Sequence, residues 1–156
     1  MTAGRQGTAL NCAFCRIVSG RVQASLVHED SETLAFVDLR QPGWPRGAHV
    51  LVVPKAHIEF LFDLPAQLAA QVMQTVVRVA DAVRRVAEPG GISVWSSNGA
   101  AADQEVPHVH LHVLARYHGD GLLRVYGERP ESPGTAELDE LAFKVRGALT
   151  VGTPAD

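Results

Sequence analysis

The chain has 156 residues, 46% of them apolar and 20% charged, which suits one domain with a buried core and rules out a disordered chain. Its formal charge of −3, without a long basic run, argues against a non-specific nucleic-acid binder but leaves a small phosphorylated ligand open. No window reaches the roughly 18 apolar residues of a membrane span, and Met1–Asn11 has no apolar stretch of signal-peptide length, so a cytoplasmic protein without a membrane partner is expected.

In chain order, residues 1–11 are expected to be a flexible N-terminus. A short helix follows around Cys12–Val18, stopped by Ser19-Gly20. Cys12 and Cys15 lie one helical turn apart. In a reducing compartment this spacing fits a metal clip or a redox pair better than a stabilising disulfide. The β-rich runs Leu26–Glu29 and Thr33–Leu39 form a hairpin, and Arg40–Gly47 is a Pro/Gly loop. Ala48–Val53 is a strand ended by Pro54.

The clearest helix comes next, capped by Asp63 with Pro65 in its first turn. Leu68, Val72, Val76, Val79, Val83 and Val86 recur at spacings of three and four and mark its buried face. Pro89-Gly90-Gly91 stops it. Ile92–Ser97 and His108–Leu114 are strands, joined by Asn98–Val106. A late helix starts at Thr135, with Leu138, Leu141, Val145 and Leu149 on one face. The expectation is an α+β fold: an antiparallel sheet of about five strands, one long helix and a C-terminal helix. Residues 12–118 form the domain, and 119–156 a C-terminal extension bearing the last helix.

The run His108-Val109-His110-Leu111-His112 carries the chemistry. With a strand period of two, three imidazoles share one face and the apolar residues the other. Neighbouring rings then stand roughly 6.6 Å apart along the strand, close enough to be bridged by a small anion or a metal. Two chemistries compete: a histidine nucleophile, and a hydrolytic metal held by His-x-His.

The full run His108-Val109-His110-Leu111-His112-Val113-Leu114 resembles the signature of the histidine-triad (HIT) family, in which three histidines alternate with apolar residues. Further segments occur in the family's order: Cys12-Ala13-Phe14-Cys15, Phe36-Val37-Asp38, the stretch from Gly47 to Ile58 with His49 and His57, and Asn98 followed by Gln104. The resemblance covers roughly residues 12 to 118 and is nearest to the bacterial Hint-like branch with an N-terminal CxxC.

The resemblance implies a HIT-like fold and a role for each matching residue. His110 would attack the α-phosphate of a purine nucleotide and form a covalent nucleotidyl-histidine. His112 would stabilise charge on the phosphate, with His49 as a further catalytic histidine. Asp38 would bind the ribose hydroxyls; Phe14, Ile17, Val37 and Leu39 would hold the base; Asn98 and Gln104 would donate amide hydrogens to the phosphate or leaving group. Cys12, Cys15, His57 and His108 would hold a structural zinc, with no organic cofactor.

The implied activity is that of a nucleoside phosphoramidase releasing AMP, in a homodimer whose sheet runs across both subunits. Alternatives are a dinucleoside polyphosphate hydrolase or a nucleotidyltransferase within the family. Outside it they are a metal-dependent hydrolase or a nucleotide-binding module with little turnover.

One departure stands out. Glu105 lies where the family usually has a hydroxyl, and an ionised carboxylate repels phosphate. It must turn away, carry a proton, or meet a cationic leaving group. His28 and His118 are read as surface residues. Trp44 and Trp95 are read as packing or interface groups.

Overall fold

Alternation along the strands builds the first layer. In the computed structural model, which describes residues 11–122 and 133–149, five strands form one antiparallel sheet: β1 (Leu26–Glu29), β2 (Thr33–Val37), β3 (His49–Pro54), β4 (Gly91–Trp95) and β5 (Leu111–Arg116). Their spatial order is β1-β2-β3-β5-β4. Helix α1 (Ala13–Val18) precedes β1, and helix α2 (Ala66–Ala87) joins β3 to β4. The α+β expectation holds, with five strands and one long helix.

The two faces follow from the register. Ala35 pairs with Val52, Val52 with Leu111, and Val50 with Val113. These residues pack with Leu68, Val72, Val76, Val79 and Val83 of α2 in one apolar cluster. On the other face Leu34, Phe36, Leu51 and Val53 pack with Cys12 and Phe14 of the α1 segment. Asp30 makes the β1–β2 turn by accepting from the Glu32 and Thr33 amides at 2.9 and 2.7 Å.

Several boundaries move, each for a hydrogen-bonding reason. Asp63 does not cap α2: it sits in a 3₁₀ turn, Leu61–Asp63, and Pro65 occupies the N-cap without a side-chain cap. The buried stripe of α2 includes Thr75, whose hydroxyl lies 2.9 Å from that of Thr33, both buried. Val86 is 85% exposed. In that last turn Ala87 packs against the core instead, and its carbonyl accepts from the Tyr117 hydroxyl at 2.8 Å.

The histidine strand also starts later than the alternation predicts. The Val109 amide donates to the Ile58 carbonyl and the His108 amide to Val106, so the ladder begins only at Leu111. Of the three histidines, His112 alone lies within β5.

The described chain divides after Leu122 into two units. The second contains α3 (Thr135–Leu149), at the position expected for the C-terminal helix. The expected flexible terminus, 1–11, lies outside the described residues apart from Asn11, as does most of 119–134 within the expected extension. No described helix is long and apolar enough to cross a membrane.

Candidate active site

Helix α1 brings Cys12 and Cys15 over the end of β3, where two histidines meet them. Cys15 Sγ lies 3.2 Å from His57 Nδ1, and His108 Nδ1 lies 3.5 Å from both Cys12 and Cys15. One ligand atom from each of the four residues falls within 4.8 Å of the others. His108 Nε2–H donates to the Pro54 carbonyl at 2.9 Å, which turns the Nδ1 lone pair toward the sulfurs. Burial pushes the His108 pKa down to about 4, so this ring is a neutral ligand. Burial, with Cys12 alongside, pushes the Cys15 thiol up to about 12.

His110 belongs to neither cysteine. Its Nδ1–H donates to the His108 carbonyl at 2.7 Å, which leaves the lone pair on Nε2. The ring is buried, with Phe14 edge-on at 5.1 Å and His112 at 4.8 Å. Among the described residues no buried side-chain nitrogen or oxygen lacks a hydrogen-bond partner. His110 Nε2 makes no such bond, so it retains some solvent-accessible surface. Burial holds the pKa of His110 below its ordinary 6.5.

His112 and His49 form a second pair. His49 Nδ1 lies 3.1 Å from the Arg40 carbonyl and 3.6 Å from Asp38 Oδ2, so it carries the hydrogen. His49 Nε2 then accepts from His112 Nδ1–H at 2.9 Å. Trp95 lies directly across from His112 in the β4–β5 register, and their rings stack at 4.2 Å with 3° between planes. It also stacks on His49 at 5.7 Å. Trp95 is therefore part of the site, not a mere packing group. Burial, then the neighbouring His110 and His49, push the His112 pKa down to about 4.

Beside the histidines lies a cavity of about 850 Å³, lined by Phe14, Ile17, Val37, Asp38, Leu39 and Arg40 among others. All four residues expected to hold a base border it, with different exposure. Phe14 is buried, Ile17 half-buried, and Leu39 fully exposed. Val37 pairs with Val50, so its side chain points to the opposite face of the sheet from Leu51. Asp38 is buried at the cavity's edge, its Oδ1 accepting from the Arg40 amide at 2.8 Å.

The two amides are engaged inside the loops. Asn98 Oδ1 accepts from the Leu61 amide at 2.6 Å. Gln104 accepts from the Gly99 amide at 2.7 Å and donates to the Glu59 and Val106 carbonyls at 2.8 and 3.2 Å. Together they staple the loop before the triad to the β3–α2 connection. Gln41 does the same for the β2–β3 loop. It donates to the Asp38 and His49 carbonyls and accepts from the His49 amide.

Glu105 is ionised. Arg40 donates to both of its carboxylate oxygens, at 3.0 and 2.7 Å, and holds its pKa below the usual carboxylate range. The protonated form considered for it is thereby ruled out. Arg40 and Gln41 are the residues around the candidate site that the sequence reading passed over, and Trp95, read as a packing or interface group, packs on its histidines. Only the Pro/Gly loop around the first two, and the strand end around the third, signalled a place where sites collect.

A model of the HIT domain matches residues 19–119. The chain is 35% identical over 142 residues to the protein hit of Bacillus subtilis, covering 90% of this chain and 96% of that one. It is 31% identical over 140 residues to the adenosine 5'-monophosphoramidase hnt1 of Schizosaccharomyces pombe, covering 88% and 100%. A solved zinc-bound histidine triad family protein from Mycobacterium smegmatis aligns with a TM-score of 0.65 at 32% identity, over 93% of this chain and 99% of that one.

Proposed function

The chain belongs to the HIT family, and from that membership we propose that it cleaves purine nucleoside phosphoramidates at the α-phosphate, releasing AMP. The carrying observation is His110: a neutral, buried ring, oriented by the His108 carbonyl, with only Nε2 left for the cleft. The phosphoramidase name of the yeast relative supports the substrate class.

In this reading the ribose hydroxyls donate to Asp38 and the base lies in the cavity against Phe14, Ile17 and Leu39, with Val37 bordering it. His110 Nε2 attacks the α-phosphorus. The P–N bond to the imidazole forms as the bond to the leaving group breaks, and the leaving group departs with that electron pair and takes up a proton. Water then attacks the same phosphorus and loses a proton. AMP is released as the electron pair returns to Nε2.

His112 supports this from one side. Its Nδ1–H is committed to His49, so Nε2 bears a lone pair while the ring is neutral. An arriving phosphate raises the affinity of His112 for a proton, and the resulting imidazolium donates to a phosphate oxygen. His49 and Trp95 hold the ring in place. Asn98 and Gln104 position the loop carrying the triad. Their amides reach the phosphate or leaving group only by exchanging partners they already have.

Cys12, Cys15, His57 and His108 fit a structural zinc. Tetrahedral sulfur and nitrogen ligands of zinc lie about 3.4–3.8 Å from one another; three sulfur–nitrogen distances here are 3.2–3.5 Å, and all four ligand atoms lie within 4.8 Å of one another. The raised Cys15 pKa describes the thiol without a cation; a bound cation inverts it and releases the proton. Zinc supplies a tie between α1 and the sheet end, and a reducing compartment such as the cytoplasm keeps the thiols free for it. A homodimer fits the edge strand β4, which pairs only with β5 among the described strands.

The rival in which three histidines share one metal is disfavoured by how they are divided. His108 joins the cysteines, His112 joins Asp38 and His49, and His110 belongs to neither group. The test is His110→Asn with metal content measured. Turnover of adenosine phosphoramidate should fall by about a thousandfold or more, with zinc unchanged, and mass spectrometry of quenched wild type should find an adenylate on His110. Loss of a stoichiometric metal along with activity sinks the nucleophile.

A further inference from the structure

We infer that the Arg40–Glu105 ion pair is opened by substrate: Arg40 leaves Glu105 to hold the α-phosphate, and the freed Glu105 carboxylate selects a leaving group that carries positive charge. This rests on the nucleotide reading above and extends it to the leaving group.

The argument starts from position. Arg40 borders the cavity together with Asp38 and Val106, and its Nε lies 4.0 Å from Asp38 Oδ1. Its carbonyl accepts from His49, so its backbone is fixed to the histidine pair. Glu105 precedes Val106 and joins Arg40 across 65 positions of chain. Its charge is felt at both His110 and His112. The ion pair therefore borders the cavity through Arg40 and lies near the histidines through Glu105. A nucleotide with its ribose at Asp38 and its phosphorus at His110 Nε2 brings its phosphate close to this pair.

The pair as it stands does not suit that phosphate. An ionised carboxylate beside it is repulsive, and both guanidinium donors are already occupied. The side chains of Arg40 and Glu105 are 70% and 65% exposed, so the pair is weakly held. A planar guanidinium takes two phosphate oxygens in the same forked geometry as two carboxylate oxygens. Exchange of one for the other therefore conserves the bonds of Arg40. It leaves Glu105 charged and without its Arg40 partner, beside the reacting phosphate. A leaving group bearing an ammonium restores its ion pair; one bearing a carboxylate is repelled.

The test measures AMP and adenosine binding by calorimetry for wild type, Arg40→Gln and Glu105→Gln. It also measures kcat/KM on three adenosine phosphoramidates whose leaving amines are cationic, neutral and anionic. Both side chains are exposed, so the variants keep the core intact. Arg40→Gln should weaken AMP about tenfold and leave adenosine unchanged. Glu105→Gln should tighten AMP by roughly threefold or more. Wild type should prefer the cationic over the anionic leaving group by about tenfold, and Glu105→Gln should bring that ratio near one. If AMP binds but Arg40→Gln changes AMP and adenosine alike, or if the charge preference survives Glu105→Gln, the exchange is wrong while the nucleotide reading stands. Wild type that neither binds AMP nor turns over any of the three overturns both.

Discussion

On the α2 side of the sheet, Val50, Val52, Leu111, Val113 and Ala115 meet Leu68, Val72, Val76, Val79 and Val83. On the α1 side, Leu34, Phe36, Leu51 and Val53 share their layer with His49, His108, His110 and Trp95, and with two cysteines. Both faces are buried, but by different means. The first buries methyl groups, which need only fit. The second buries imidazoles with polar nitrogens, and each of these three histidines is held by a named acceptor: Pro54 O for His108, His108 O for His110, Arg40 O for His49. Burying a polar ring costs free energy unless it is hydrogen-bonded. The same bonds that offset this cost fix which nitrogen carries the lone pair. One face is closed by apolar packing alone, and the other adds control of the histidine tautomers.

The sharpest test of this division is at the cysteine–histidine cluster, where the zinc proposed above would make the polar face hold the fold. Chelating zinc, or Cys15→Ser, should lower unfolding stability by about 4 kcal/mol where free zinc stands a thousandfold above its Kd. Calorimetry with and without chelator measures this. An unchanged Tm would leave the cluster as thiol–imidazole hydrogen bonds.

A smaller effect comes from the apolar face. Val72→Ala removes two buried methyl groups and should cost about 2 kcal/mol in urea unfolding. The turnover of the folded fraction should not change. A fall in kcat at constant KM would show that α2 packing sets ring positions on the far side of the sheet.

The smallest effect is a slope with pH. His112 is depressed to about 4 in the folded chain, so the unfolded state binds more protons between pH 6.5 and 4. Stability contributed by this ring's neutrality is full above pH 6.5 and declines as pH falls toward 4. Urea midpoints at pH 7 and 5 should differ more in wild type than in His112→Gln. The nucleophile proposed above follows the same sign: with the His110 pKa held below 6.5, the acid limb of kcat/KM should fall below pH 6.5.

Periodicity and motif spacing reached far into this protein. The three-and-four spacing of α2, the alternation of β5 and the Cys12–Cys15 turn are local patterns, and each marks the face it serves without knowledge of any partner. They sufficed for the α+β class and the five strands; the candidate ligands and nucleophile came from the resemblance to the family. What they missed are relations between distant positions. Trp95 meets His112 only through strand register, and Arg40 meets Glu105 only because the β2–β3 loop lies beside the triad loop. The parting of His108 from His110 and His112 arises because the Val109 amide is drawn to Ile58, so the ladder cannot begin before Leu111. Local sequence fixes which way a side chain can face, whereas the choice of hydrogen-bond partner across the fold is made only when the layers close, and that choice set three similar rings apart: His108 beside the cysteines, His110 held by the His108 carbonyl, and His112 paired with His49.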